Sequence, residues 1–227
     1  MLDRERRARR DEEPPMSQSV RPAPPVVREI EAKSILNASK IHDWCVNPYT
    51  GCEVGCVYCY AALFMRRYSG HSEPWGEFVD VKVNAPALLA RQIVRARRGT
   101  IWFGSVCDPY QPLEERYALT RRLLEALVGL DFPVEIQTKS ARVRRDLDVI
   151  RRLPEVQVGF TIATDDETIA ALFERRASPV AERVEILRGS GPPASGPSPS
   201  PGRSCQGIPS AWPHYWPGPP ITSSSTA

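Results

Sequence analysis

Several things are scarce in this 227-residue chain, and each scarcity excludes something. No run of about 20 apolar residues occurs, which argues against a membrane-spanning helix. The first 27 residues carry charge and proline but no apolar h-region, so a secretory signal is not expected and the cytoplasm is. Thirty basic against 27 acidic residues leave a net charge of +3, too little to demand a polyanionic partner; nucleic-acid binding is permitted without being indicated. Charge nearly vanishes after Arg188: the last 39 residues hold Arg203 as their only charged side chain but ten of the 23 prolines. Setting aside both ends leaves one domain, residues 28–188, which is too short for a complete eight-fold (β/α) barrel of about 250 residues.

Cysteine is what the chain does have, and it is clustered. Of six cysteines (45, 52, 56, 59, 107 and 205), three fall within eight residues as C-x3-C-x2-C: Cys52, Cys56 and Cys59. In a reducing compartment that spacing favours a metal site or catalysis over disulfides. Three thiolates so placed can hold three corners of a cubane iron–sulfur cluster and leave the fourth iron open to a small molecule. Gly51 and Gly55 let such a loop fold tightly, with backbone N–H groups available to the sulfides. A zinc site completed by Cys45, His42 or His71 is the alternative. Cys45 and Cys107 read most simply as small packed residues.

Around the cysteines, short apolar runs alternate with amphipathic stretches. Strands are expected at 44–49, 100–105, 134–138 and 156–162. Helices are expected from Val57 to Arg67, from an Asn84 cap to about Arg98, from Glu115 to Gly129, after a Ser140 cap, and through 169–173 and 180–188. Thr164 to Glu167 reads as a capping box. Strand then helix, four times over, predicts a parallel α/β sheet. Ligands gather at the carboxyl ends of such strands. Here those ends carry the Cys loop, Ser105 to Gln111, Lys139, and Thr161 to Thr164. Asp108, Gln111 and Glu114 fit either a turn leading into a helix or a site. The arginine pairs read as solvated helix faces, and Trp75 as a packed loop aromatic.

C-x3-C-x2-C with Tyr58 before the third cysteine resembles the hallmark of the radical S-adenosylmethionine (SAM) superfamily. Asn47-Pro48-Tyr49-Thr50-Gly51-Cys52, Cys59-Tyr60-Ala61, Asp108 through Glu114 and Leu119-Thr120-Arg121 are similar to the spore photoproduct lyase-like branch. The resemblance implies a partial (β/α)6 barrel, here truncated to about four βα units. It implies a [4Fe–4S] cluster on Cys52, Cys56 and Cys59, with S-adenosyl-L-methionine chelating the open iron. It also implies reductive cleavage of SAM to a 5′-deoxyadenosyl radical, fed by an external one-electron donor of the flavodoxin or ferredoxin type. Carried over by position, Tyr58 lies against adenine, Ser105 and Lys139 contact the methionine or ribose part of SAM, and Thr161 lies near the ribose. Tyr60 lines the radical path or orders the loop, and Cys107 is placed to donate hydrogen. The lyase's own donor cysteine aligns near Phe103, where this chain has none. The branch includes DNA-lesion repair, so a nucleic-acid substrate is among the expectations. The competing readings are an iron–sulfur electron-transfer module without SAM chemistry, an inactive truncated copy, and a zinc-stabilised nucleic-acid binder. Two readings also stand for 189–227: a disordered Pro/Ser/Gly-rich tail, or out-of-frame translation beginning near Arg188.

Overall fold

A computed structural model describes residues 24–189; residues 1–23 and 190–227, including Cys205 and most of the Pro-rich stretch, lie outside the described residues. The main sheet has five strands in the order β2 (Asn37–Ala38), β3 (Trp44–Val46), β6 (Ile101–Phe103), β7 (Val134–Thr138) and β8 (Val156–Phe160). β3, β6, β7 and β8 are mutually parallel, and only β2 runs antiparallel. Parallel neighbours need crossovers. These carry α1 (Ala61–Ser69), α2 (Ala85–Ile93), α3 (Glu114–Tyr117), α4 (Leu119–Glu125), a 3-10 turn (Ala141–Asp146) and α5 (Leu147–Ile150). The parallel strands follow one another in chain order without reversal, which is the winding of a barrel wall and not of a doubly wound sheet. Four βα units of a partial barrel are thus present among the described residues, closed by α6 (Glu167–Phe173) and α7 (Val180–Gly189). Register runs Val46↔Phe103↔Ile136↔Val158, so all four carboxyl ends reach the same edge.

A second sheet has no counterpart among the strand expectations. β1 (Val26–Ile30) pairs parallel with β5 (Phe78–Lys82), and β4 (Tyr49–Thr50) pairs antiparallel with β5. β1 begins at Val26, inside the first 27 residues, which are set aside from the expected domain. The single strand expected over 44–49 is divided between the two sheets. Pro48 has no N–H for a ladder, and its carbonyl accepts from Lys82 N–H at 3.2 Å as the chain crosses over.

Three helix expectations are corrected by tertiary contacts. The helix expected to start at Val57 starts at Ala61, because 52–59 is consumed by the Cys loop. The helix expected over 115–129 breaks at Ala118, whose φ of 47° is left-handed; Glu114 then caps α4 by accepting from Thr120 N–H (3.0 Å) and Arg121 N–H (3.4 Å). Asn84 does not cap α2. Its amide instead clamps both the N–H and the carbonyl of Ala32, each at 2.9 Å. Ser140 does cap, accepting from Arg142 N–H. In the expected capping box the cap is Asp166, and Glu167 turns forward to accept from Val180 and Ala181 N–H at the start of α7.

Two apolar clusters result. The larger, with Leu89, Ile101, Phe103, Leu123, Leu124, Val134 and Ile136, fills the space between main sheet and helices. The smaller gathers Tyr49, Cys52, Val54, Cys56, Val79, Val81, Cys107 and Leu119 around the Cys loop. No described helix is long and apolar enough to cross a membrane.

Candidate active site

The Cys loop leaves β4 and is tied at several points to the loop that follows β6. Glu53 N–H donates to Gln111 Oε1 (2.7 Å), and Leu113 N–H donates to Glu53 Oε2 (2.5 Å). Asp108 N–H points at Cys52 Sγ (3.3 Å). Cys52 and Cys56 are buried and Cys59 is half-buried. Burial drives the Cys52 thiol well above its ordinary pKa. It pushes Cys56 up to about 11, with the nearby Lys139 ammonium pulling the other way. These thiols therefore keep their protons at neutral pH until a cation replaces them.

Three thiolates in one loop suit an iron–sulfur cluster, in which each thiolate takes its own iron. The histidines proposed to complete a zinc site are otherwise engaged. His71 contacts Glu73 through Nδ1 (3.0 Å) and Asp80 through Nε2 (2.8 Å), and His42 lies 3.6 Å from Glu135.

The exits of β6, β7 and β8 face the cysteines. At Gly104 (φ 96°) the chain turns so close to Gln137 that a Cβ would strike its carbonyl oxygen, so only glycine fits. Asn47 at the end of β3 then fixes the next residues: its Nδ2 donates to Ser105 Oγ (2.7 Å), and its Oδ1 accepts from Val106 N–H (3.0 Å) and lies 3.7 Å from the Cys107 thiol. Burial pushes Cys107 up to about 12, which keeps its hydrogen on sulfur. Tyr60 donates to the Ser105 carbonyl. Asp108 shapes the β7 exit, accepting from Thr138 Oγ1 (2.6 Å) and Lys139 N–H (2.7 Å).

A chain of contacts closes the far side. Tyr58 donates to Glu174, which is salt-bridged to Arg183 (2.8 Å), and Arg183 donates to the Thr161 carbonyl (2.7 Å). Glu174 and Arg183 are almost wholly buried, at 2% and 1% side-chain exposure. The Lys139 ammonium lies 5.7 Å from the Tyr58 ring centroid. Gln137 Nε2 donates to Thr161 Oγ1 (2.9 Å).

All nine residues singled out in the sequence line one cavity of about 220 Å³: the three cysteines, Tyr58, Tyr60, Ser105, Cys107, Lys139 and Thr161. Asp108, left open between turn and site, also lines it. Gln111 and Glu114, left open in the same way, brace the loops behind it. Asn47, Glu174, Arg183 and Trp75 belong to the site region without having been singled out for it. Asn47 stood in the quoted motif, but the other three carried no local signal. The arginine pairs are largely spent within the chain: Arg97 pairs with Asp43, Arg98 with Asp131, Arg121 with Asp148, Arg144 with Glu185 and Arg145 with Glu114.

Three strand exits and a three-cysteine loop thus enclose one cavity at the carboxyl edge of a parallel, barrel-like sheet. A model of the radical SAM superfamily matches residues 46–190, and the chain belongs to that superfamily. An uncharacterized protein of Methanocaldococcus jannaschii is 32% identical over 162 residues, 70% of this chain and 60% of that protein. An uncharacterized Mycobacterium tuberculosis protein is 35% identical over 151 residues, 61% of this chain and 44% of that one. The chain thus spans roughly half of the length of the curated relatives it matches. Its fold is similar to spore photoproduct lyase complexed with dinucleoside spore photoproduct, with a TM-score of 0.56 at 18% identity, covering 71% of this chain and 46% of that one.

Proposed function

We propose that the chain holds a [4Fe–4S] cluster on Cys52, Cys56 and Cys59 and binds S-adenosylmethionine in the adjoining cavity as a radical SAM enzyme. The observation that carries this reading is the meeting of residues from the Cys loop and the β6, β7 and β8 exits around one cavity. With both bound, a reduced cluster would supply the single electron needed for reductive cleavage of a carbon–sulfur bond of S-adenosylmethionine.

The chain's own residues bind, orient and shield. The Lys139 ammonium suits the SAM carboxylate, and Ser105 offers a hydroxyl to its methionine or ribose part. Tyr58, fixed by Glu174, presents its ring to the adenine. Thr161, held by Gln137, serves the ribose. Tyr60 orders the loop by anchoring to the Ser105 carbonyl, and Cys107 holds a hydrogen beside the cavity. An external one-electron donor of the flavodoxin or ferredoxin type completes the reaction. In this reading the catalytic segment is 28–188, extended back to Val26. The substrate class we favour is a nucleic-acid lesion or modified base, on the strength of the dinucleoside bound by the structural neighbour.

Anaerobic reconstitution with iron and sulfide, followed by EPR with and without SAM, tests the proposal. The expected result is a reduced [4Fe–4S] signal that shifts on SAM addition and, with dithionite, release of 5′-deoxyadenosine. A signal indifferent to SAM would leave an electron-transfer module, and a colourless protein with tightly bound zinc would replace the cluster altogether.

A further inference from the structure

Trp75 lies in the connection between α1 and β5, outside every motif of the sequence. Its ring packs against the smaller apolar cluster, which includes Cys52, Val54 and Cys56, meets Phe78 edge-on at 5.9 Å, and lines the same cavity as the thiols. The connection is pressed backbone to backbone onto the Cys loop. A Cβ on Gly76 (φ 96°) would lie 2.9 Å from Gly55 Cα, so the two segments have no slack between them.

The Trp75 indole nitrogen is buried and has no hydrogen-bond partner within the protein. By contrast, the Trp44 indole donates to the Arg97 carbonyl at 3.1 Å. A buried donor left unmade costs about 1–3 kcal/mol, and native proteins rarely leave one. The sulfurs of the Cys loop belong to the same packed cluster as the ring. A neutral thiol is a weak acceptor, but a thiolate or sulfide carrying the charge of a bound cluster is a good one.

We propose that Trp75 Nε1–H donates a hydrogen bond to a cluster sulfur on the Cys52–Cys56 side and thereby raises the cluster's reduction potential. The inference rests on the cluster assignment made above. An N–H···S bond stabilises the more negative, reduced cluster, and hydrogen bonds to the sulfurs are one of the means by which proteins set this potential. Trp75 is on this account a positioning and tuning residue that makes the cluster easier for a weak physiological donor to reduce.

Trp75→Phe keeps an aromatic ring and deletes the donor. In an EPR-monitored redox titration of reconstituted protein, the variant's reduction equilibrium should fall about tenfold, ~59 mV for a one-electron couple. Iron and sulfide per chain should be unchanged. An unchanged potential at full cluster content would overturn the assignment. Should the variant fail to hold a cluster, a protein with Trp102, Trp212 and Trp216 all replaced by Phe and labelled with indole-15N tryptophan decides the matter without altering Trp75: Trp102 also lines the cavity, and the remaining Trp44 indole is tied to the Arg97 carbonyl. Pulsed EPR of its reduced cluster should show a 15N coupling, and its absence would equally overturn the proposal. A wild-type chain that takes up no iron would overturn the cluster assignment itself and this inference with it; iron analysis before titration separates that outcome from a failure of the Trp75 bond alone.

Discussion

The larger apolar cluster is supplied by strands and helices at regular spacing, with Leu89, Leu123 and Ile136 each 1% exposed or less. The smaller one is assembled mainly from loop residues and short strand ends, and buried polar groups surround it: Glu53, Asp80, Asp108, Gln111 and Glu114 are each 9% exposed or less. In the first, each side chain contributes a share of non-directional burial that its neighbours partly duplicate. In the second, position depends on directional hydrogen bonds between loops. The main cluster should therefore set stability, and the contacts around the Cys loop should set what the cavity can hold.

The largest effect expected is at the cysteines. Cys52→Ala, Cys56→Ala or Cys59→Ala should each abolish SAM cleavage and the SAM-sensitive EPR signal, leaving far-UV circular dichroism near wild type because the main sheet contains none of them. A Cys56→Ala protein that still cleaves SAM would refute its assignment as a ligand. Next is the ion pair behind Tyr58. Arg183→Met leaves the Glu174 carboxylate buried without its cation, and removing one partner of such a pair costs about 3–5 kcal/mol. Urea unfolding of the variant should show a loss of that size together with weakened SAM binding. A loss below about 1 kcal/mol would mean that water reaches the pair.

These two tests also mark the boundary of what the sequence discloses. The grouping of Cys52, Cys56 and Cys59 at one cavity is legible because it lies in their local spacing. Ser105, Lys139 and Thr161 are legible because a parallel sheet delivers its strand ends to one edge, and strand positions follow from periodicity. Glu174 and Arg183 are not legible, because the Tyr58–Glu174 bond joins residues 116 apart and nothing local in a helix end announces it. Asn84 shows the reverse error: locally it is a good cap, but the chain just past β1, a strand that had no expectation, supplies the Ala32 backbone that claims its amide. The second sheet was hidden for a related reason. Phe78, Val79, Asp80 and Val81 are all buried, so β5 lacks the alternation that marks a half-exposed strand.

Leu89→Ala tests the main cluster. This side chain is fully buried, and Leu→Ala in a core costs about 2–5 kcal/mol, depending on how far the space can collapse. The variant should lose stability to urea yet bind SAM with wild-type affinity under native conditions. Comparing it with Arg183→Met separates the regions: equal losses of stability should come with unequal losses of SAM binding. If Leu89→Ala weakened SAM binding as much as Arg183→Met, the two clusters would be one cooperative unit and the contrast between them would fail.

The smallest effect is at Lys82, where the regions meet. It ends β5, and its ammonium donates to the Asn47 carbonyl (2.8 Å), behind the amide that fixes Ser105 and Val106. Burial lowers its pKa below the usual 10.5, with the Cys107 and Cys45 thiols opposing the shift when ionised. The folded chain thus gives up this proton more readily than the unfolded chain. Between the folded pKa and about 10.5 the unfolded state binds more proton, so this group makes stability rise with pH in that window. Cys107, pushed up by burial, acts in the opposite sense at alkaline pH. Only the difference between wild type and Lys82→Met isolates the lysine. Plotted from pH 8 to 10.5, the unfolding free energy of wild type minus that of the variant should climb, with a slope no steeper than about 1.4 kcal/mol per pH unit. A flat difference would mean that the ammonium is as well solvated in the folded chain as in the unfolded one, and that Asn47 is held by the β3–β4 crossover without help from the lysine.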